Sequence, residues 1–166
     1  MNFRRFTDAD ANFCFKVRTS AYVKKFYNEL GAEAVDAAIS SYLPSDFIRL
    51  SKSMILFIIE ESDERVGFIS IKRLTNILAE IPLVYFDLNK LGMGYGSKSI
   101  YFIEKWVEQN WLDVKDILID TIIPQYNGGF YEKMGYIKSG KSKCLFENVE
   151  VPAVRYLKTI KGKSDE

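Results

Sequence analysis

Residues 54–74 most narrow what this chain can fold into. The run MILFII (54–59) is wholly apolar, and a second run, VGFISI (66–71), follows it. A polar turn at Ser62–Glu64 lies between them. Two apolar runs about a short polar turn predict a β-hairpin. The neighbouring segments then decide the fold class. NFRRFT (2–7) reads as a first strand. Thr7 and Asp10 are spaced as a capping box, and Phe13, Val17 and Ala21 recur at helical spacing in a helix expected to reach Leu30. A second helix is expected over 32–43, stopped by Pro44, with one more helical turn capped by Ser45.

Downstream of the hairpin, AEIPLVYFDL (79–88) is a further strand. Residues 94–111 carry Ile100, Ile103, Val107 and Trp111 on one helical face. ILIDTII (117–123) reads as a buried strand, and YNGGFYEKMGY (126–136) as a glycine-containing loop with a short helix. A strand pair joined near FENVE closes the chain over 136–160. The order β, α, α, β, β, β, α, β, α, β, β belongs to a mixed α/β sheet, neither all-parallel nor a sandwich.

At 166 residues the chain suits one domain, expected over 1–160, with the polar tail KGKSDE at 161–166. A net charge of +1 gives no global field for nucleic acid or an anionic membrane. The apolar run MILFII is too short to span a bilayer, and the N-terminus lacks an apolar signal core. The two cysteines, Cys14 and Cys144, suggest neither a metal site nor a disulfide framework. A cytoplasmic protein with no metal is the expectation. Histidine is absent, which excludes Ser-His-Asp and Cys-His chemistry. Acid–base work then falls to Asp, Glu, Lys, Tyr, Cys or water.

The segment FDLNKLGMGYGSKSI (86–100) concentrates three glycines, Gly92, Gly94 and Gly96, between a strand and a helix. A P-loop requires Gly-x-x-x-x-Gly-Lys, but Ser97 stands five residues after Gly92. A dinucleotide fingerprint requires Gly-x-Gly-x-x-Gly, and Ser97 again replaces its third glycine. Asp120, at the end of a later strand, is the one residue that would serve such a nucleotide site on a ribose. The remaining phosphate device is a turn of free N–H groups leading into a helix N-terminus. By spacing alone it stands beside a second reading, a turn that only permits tight strand–helix packing.

DLNKLGMGYGSKSI resembles the acetyl-coenzyme A signature of the GNAT superfamily of N-acetyltransferases, Arg/Gln-x-x-Gly-x-Gly/Ala. Gly94 and Gly96 match its glycines, while Leu91 stands where Arg or Gln is usual. Lys90 or Lys98 is the expected substitute. FYEKMGY (130–136) is similar to a second family segment, and many members carry an asparagine seven residues before its tyrosine. Here that position is Pro124, and Asn127 is the nearest asparagine.

The resemblance implies a mostly antiparallel, twisted sheet of about six or seven strands with about four helices. It implies an acetyl-CoA-dependent N-acetyltransferase in which a primary amine, here expected on a small molecule, attacks the thioester directly. The implied cofactor contacts are Leu91, Gly92, Met93, Gly94, Tyr95, Gly96, Ser97 and Lys98, with Asn127 and Tyr131. Main-chain groups of Val84 and Phe86 would pair with the pantetheine arm, beside a strand interruption at Pro82. Tyr131 is the implied general acid and Glu80 the implied base. The acceptor would meet Arg18, Tyr22, Lys24, Tyr27, Glu29 and Glu33, mostly a solvated face, and the segment 139–150. The strand pair, with Val151, Val154 and Tyr156, offers a route to a homodimer. A non-catalytic acyl-CoA-binding module of the same fold and a small nucleotide-binding protein are the alternatives.

Overall fold

A computed structural model describes residues 1–122 and 129–160. The hairpin forms from β2 (Ile55–Glu61) and β3 (Glu64–Arg73), with Phe57 opposite Ile69. Ser62 and Asp63 both take positive φ, 51° and 65°. That geometry is the tight hairpin turn whose twist matches the strands. β1 (Asn2–Arg5) pairs antiparallel on the outer side of β2. Side chains alternate along each strand. Phe57, Ile59, Ile69 and Ile71 enter one core cluster, and Leu56, Ile58 and Phe68 enter another. Both faces of the hairpin are apolar because helices cover both.

The first cover is α1 (Ala11–Ala21), a π-helical turn at Tyr22–Phe26 and α2 (Tyr27–Leu30), so the expected single helix contains one wider turn. Asp10 accepts the N–H of Thr7 at 2.9 Å, the reciprocal half of the expected capping box. α3 (Ala32–Ser40) is shorter than expected. Pro44 does not stop that helix, which already ends at Ser40; it opens α4 (Pro44–Leu50). Leu43 is the cap, not Ser45, and its N–H donates to the Asp46 carboxylate at 2.8 Å. Proline suits a first helical position because its N–H would be unpaired there.

The expected strand 79–88 is two strands, β4 (Leu78–Glu80) and β5 (Val84–Phe86). Pro82 has no N–H, and the interruption sits around it. The buried Ser70 bridges the break. Its N–H donates to the Leu83 carbonyl at 2.9 Å, and its Oγ accepts the Leu83 N–H at 3.1 Å. β4 pairs in parallel with β6 (Asp116–Ile122), Glu80 opposite Leu118. β5 pairs with β3, Phe86 opposite Gly67. A Cβ on Gly67 would fall 2.5 Å from the Tyr85 carbonyl oxygen, so only glycine allows this approach. The strand order is β1-β2-β3-β4-β6-β8-β7, with β5 attached to β3 beside that path. The split gives eight strands. It also opens a gap between β5 and β6.

α5 (Tyr95–Asn110) covers the second face. Ile100, Ile103 and Val107 are fully buried against Ile69, Ile117 and Ile119. Each such side chain contributes about 1.5–3 kcal/mol. Trp111 lies just past the helix end, with its ring edge-on to Trp106 at 5.1 Å. The short α6 (Phe130–Lys133) leads into β7 (Ile137–Phe146) and β8 (Val149–Thr159). The side chains of Val151, Val154 and Tyr156 are buried within this chain's own core. No helix among the described residues is long and apolar enough to cross a membrane.

Candidate active site

The glycine turn ends with Gly94 as the N-cap of α5. Gly92 and Gly94 take φ of 80° and 77°, in the left-handed region that side chains disfavour. A Cβ on either would meet nothing within 4 Å, so these glycines serve backbone conformation and an open approach, not tight packing. Gly96 differs. It is helical, and a Cβ there would lie 3.3 Å from the Phe130 ring. The first intrahelical bond runs from the Lys98 N–H to the Gly94 carbonyl at 3.3 Å. The N–H groups of Tyr95, Gly96 and Ser97 lie ahead of it, at the positive end of a sixteen-residue helix.

A cleft of about 590 Å³ runs from this turn into the gap beside β5, a volume typical of small-molecule sites. Leu91, Gly92, Gly94, Tyr95, Gly96 and Ser97 line it. Met93 and Lys98 do not; both are exposed beside it. Lys90 lines the cleft but already pairs with Glu64 at 2.9 Å. Leu91, half exposed, offers no polar group. Lys25 and Lys133 also line the cleft, and the sequence reading passed over both. For Lys133 the signal was its place within FYEKMGY, two residues after Tyr131.

Leu83 and Asp87 both direct main-chain groups to β3, through the Leu83 carbonyl and the Asp87 N–H. Antiparallel pairing alternates sides. The main-chain groups of Val84 and Phe86 therefore face away from β3, and both residues line the cleft. Asn127 lies outside the described residues.

Tyr131 also lines the cleft. It is buried between Phe130 and Tyr156, with ring centroids at 5.1 and 5.4 Å. Burial pushes its phenol up, so it is protonated at neutral pH. Glu80 is half-buried and stands off the cleft wall. Burial first, and Asp120 second, raise its carboxyl above the usual range, against Lys72 and Arg155. It forms no ion pair among the described residues. Asp120 does line the cleft, but Arg155 holds both its oxygens at 2.9 and 2.8 Å and Ser142 donates at 3.0 Å. That carboxylate is already engaged and is poorly suited to a ribose.

On the α1–α4 side of the sheet, Lys24, Tyr27, Glu29 and Glu33 are exposed as expected. Arg18 and Tyr22 are not: both are buried, 2% exposed. The Tyr22 hydroxyl meets that of Tyr85 at 3.2 Å, and Tyr85 lines the cleft. Cys144, from the 139–150 segment, has its thiol pushed up to about 11, by burial first and then by Asp120 and Glu80.

Solved structures share this fold. A GCN5-related N-acetyltransferase structure from Rhodopseudomonas palustris superposes with a TM-score of 0.80 at 15% identity, over 95% of this chain and 94% of that one. The PaiA N-acetyltransferase of Thermoplasma acidophilum, in complex with coenzyme A, gives 0.70 at 14% identity, over 95% and 98%. A ribosomal-protein-alanine N-acetyltransferase from Brucella melitensis gives 0.69 at 13% identity, over 96% and 99%. A search of curated proteins finds no match. Residues 20–136 match the acetyltransferase (GNAT) family. The chain belongs to the GNAT acetyltransferase family.

Proposed function

We propose that this protein transfers the acetyl group of acetyl-CoA to the primary amine of a small molecule, by direct attack in a ternary complex. The observation that carries the reading is the splay of β5 from β6, a cleft edged by free main-chain groups and bounded by a bare helix N-terminus and by Tyr131. Acetyl-CoA, when bound, supplies an activated thioester carbonyl and a leaving thiolate.

The open turn at Gly92–Ser97 would hold the pyrophosphate through N–H groups and the helix dipole. Val84 and Phe86 would bond the pantetheine amides through their backbones, so their side chains are free to vary. Tyr131, uncharged at neutral pH, would donate a proton to the departing sulfur. Glu80 would accept the amine proton. Because it stands off the cleft wall, a water would carry the proton to it. Its raised pKa suits a base working near neutral pH.

Calorimetry with CoA and NAD tests the binding half, and CoA alone is expected to bind. An amine panel with acetyl-CoA, read as free thiol, tests the turnover half. Tyr131→Phe is expected to lower kcat by about 10²-fold or more with CoA affinity retained. A null result with CoA overturns the reading. CoA binding without thiol release favours a non-catalytic acyl-CoA module, the reading that Leu91 at the usual Arg or Gln position supports.

A further inference from the structure

Arg18 of α1 is 2% exposed, far more buried than the other arginines that support the fold. Those others have carboxylates. Arg4 and Arg65 meet Asp10, and Arg155 meets Asp120, each with its side chain more than a third exposed. Arg18 forms no ion pair among the described residues. Its Nη1–H donates to the Ala38 carbonyl in α3, and its Nε–H has no partner. The guanidinium lies 3.9 Å from the Tyr42 ring centroid and 4.6 Å from that of Tyr22, with Phe146 at 5.7 Å and Tyr85 at 5.8 Å.

Removing a cation from water is costly unless it is paired and hydrogen-bonded. Aromatic faces and one neutral carbonyl offset only part of that cost. The orphan Nε–H shows that the hydrogen-bonding capacity is incomplete. No carboxylate among the described residues pairs with this guanidinium.

The cage adjoins the cleft. Tyr85 belongs to both, and Ala21, three residues after Arg18, lines the cleft. Glu80 and Arg18 both act electrostatically on Tyr42 and on Cys144. The unpaired cation and the candidate base therefore share one neighbourhood, on the sheet face opposite α5.

We propose that Arg18 recognises a carboxylate on the acceptor, so that the amine substrate is a free amino acid. This rests on the acetyltransferase reading and adds the acceptor's chemical class to it. The guanidinium supplies the charge-assisted hydrogen bonds, and the Nε–H left without a partner is one of their donors. Tyr85, the shared wall, sets how deep the carboxylate sits.

The test uses the unaltered protein with acetyl-CoA, the twenty common amino acids, and each one's primary amide and decarboxylated amine. Free thiol is the readout. At least one amino acid is expected to be acetylated, with kcat/KM above that of its amide by about 10- to 100-fold. Arg18→Gln is expected to bring that ratio toward one, mainly through KM. Because Arg18 ties α1 to α3, circular dichroism must show that the variant is folded; the acid–amide comparison stands without it. Acetylation of no free amino acid, or amides and simple amines used as well as acids, overturns the proposal. Turnover of simple amines alone leaves the acetyltransferase reading intact, whereas absence of CoA binding removes both.

Discussion

Replacing Gly94 by valine separates the two roles a glycine turn can have. Gly94 sits at φ 77°, and an added Cβ would meet nothing within 4 Å. No packing is lost, so the whole effect comes from the backbone. A non-glycine residue in the left-handed region costs about 1–2 kcal/mol. The chain can keep the turn and take that loss as stability, which for a domain this size lowers Tm by about 2–8 °C. Otherwise the turn relaxes to negative φ and re-aims the N–H groups of Tyr95, Gly96 and Ser97. A hydrogen bond to a charged group is worth about 1.5–3 kcal/mol, so losing one weakens binding about 10- to 100-fold. Leu91→Ala trims a half-exposed side chain and is expected to change affinity by less than about threefold. Calorimetry with CoA, paired with thermal melts, measures both effects. If Gly94→Val binds CoA as wild type does while Leu91→Ala loses tenfold, recognition runs through side chains and the backbone argument fails.

Two further substitutions probe the neighbouring elements. Glu80→Gln is expected to abolish the acidic limb of the kcat/KM profile, a limb lying above the usual carboxylate range; an unchanged profile removes Glu80 as base. Because the folded pKa is raised, the stability Glu80 contributes is full below its unfolded pKa of about 4.3 and is lost as pH rises through the folded value. The Gln variant should therefore melt higher than wild type at neutral pH, with the gap closing in acid. Ser70→Ala leaves the buried Leu83 N–H unpaired, a loss of about 1–3 kcal/mol. The expected readouts are a lower Tm and faster hydrogen exchange at Leu83; unaltered exchange would mean that the hydroxyl does not hold the interruption.

The hairpin, α5 and β6 were legible because their apolar periodicities are long and end at clear turns. Pro44 misled because proline marks both helix stops and helix starts, and only the Asp46 carboxylate on the Leu43 N–H decides between them. The split at Pro82 was suggested by the missing N–H, but Ser70 as its partner depends on a register twelve residues away. Burial separates Arg18 and Tyr22 from the solvated residues near them: Arg18 lies on the helix face of Cys14, Ala21 and Tyr22, all buried. An arginine on an apolar stripe was the available signal. The glycine turn was visible from spacing, whereas the free edges of Val84 and Phe86 were not, since main-chain direction leaves no trace in side-chain identity.

An unpaired strand edge ordinarily invites other chains to add to it. Here the open edge spans three residues, Val84–Phe86, about 10 Å of strand. It lies inside a cleft whose other side carries Ile119 and Thr121 of β6. Another sheet is too broad to enter, whereas a single flexible thread bearing a few amides is not. The depth of the splay thus keeps this edge from pairing with another sheet while holding the same hydrogen-bonding groups ready for a narrow guest.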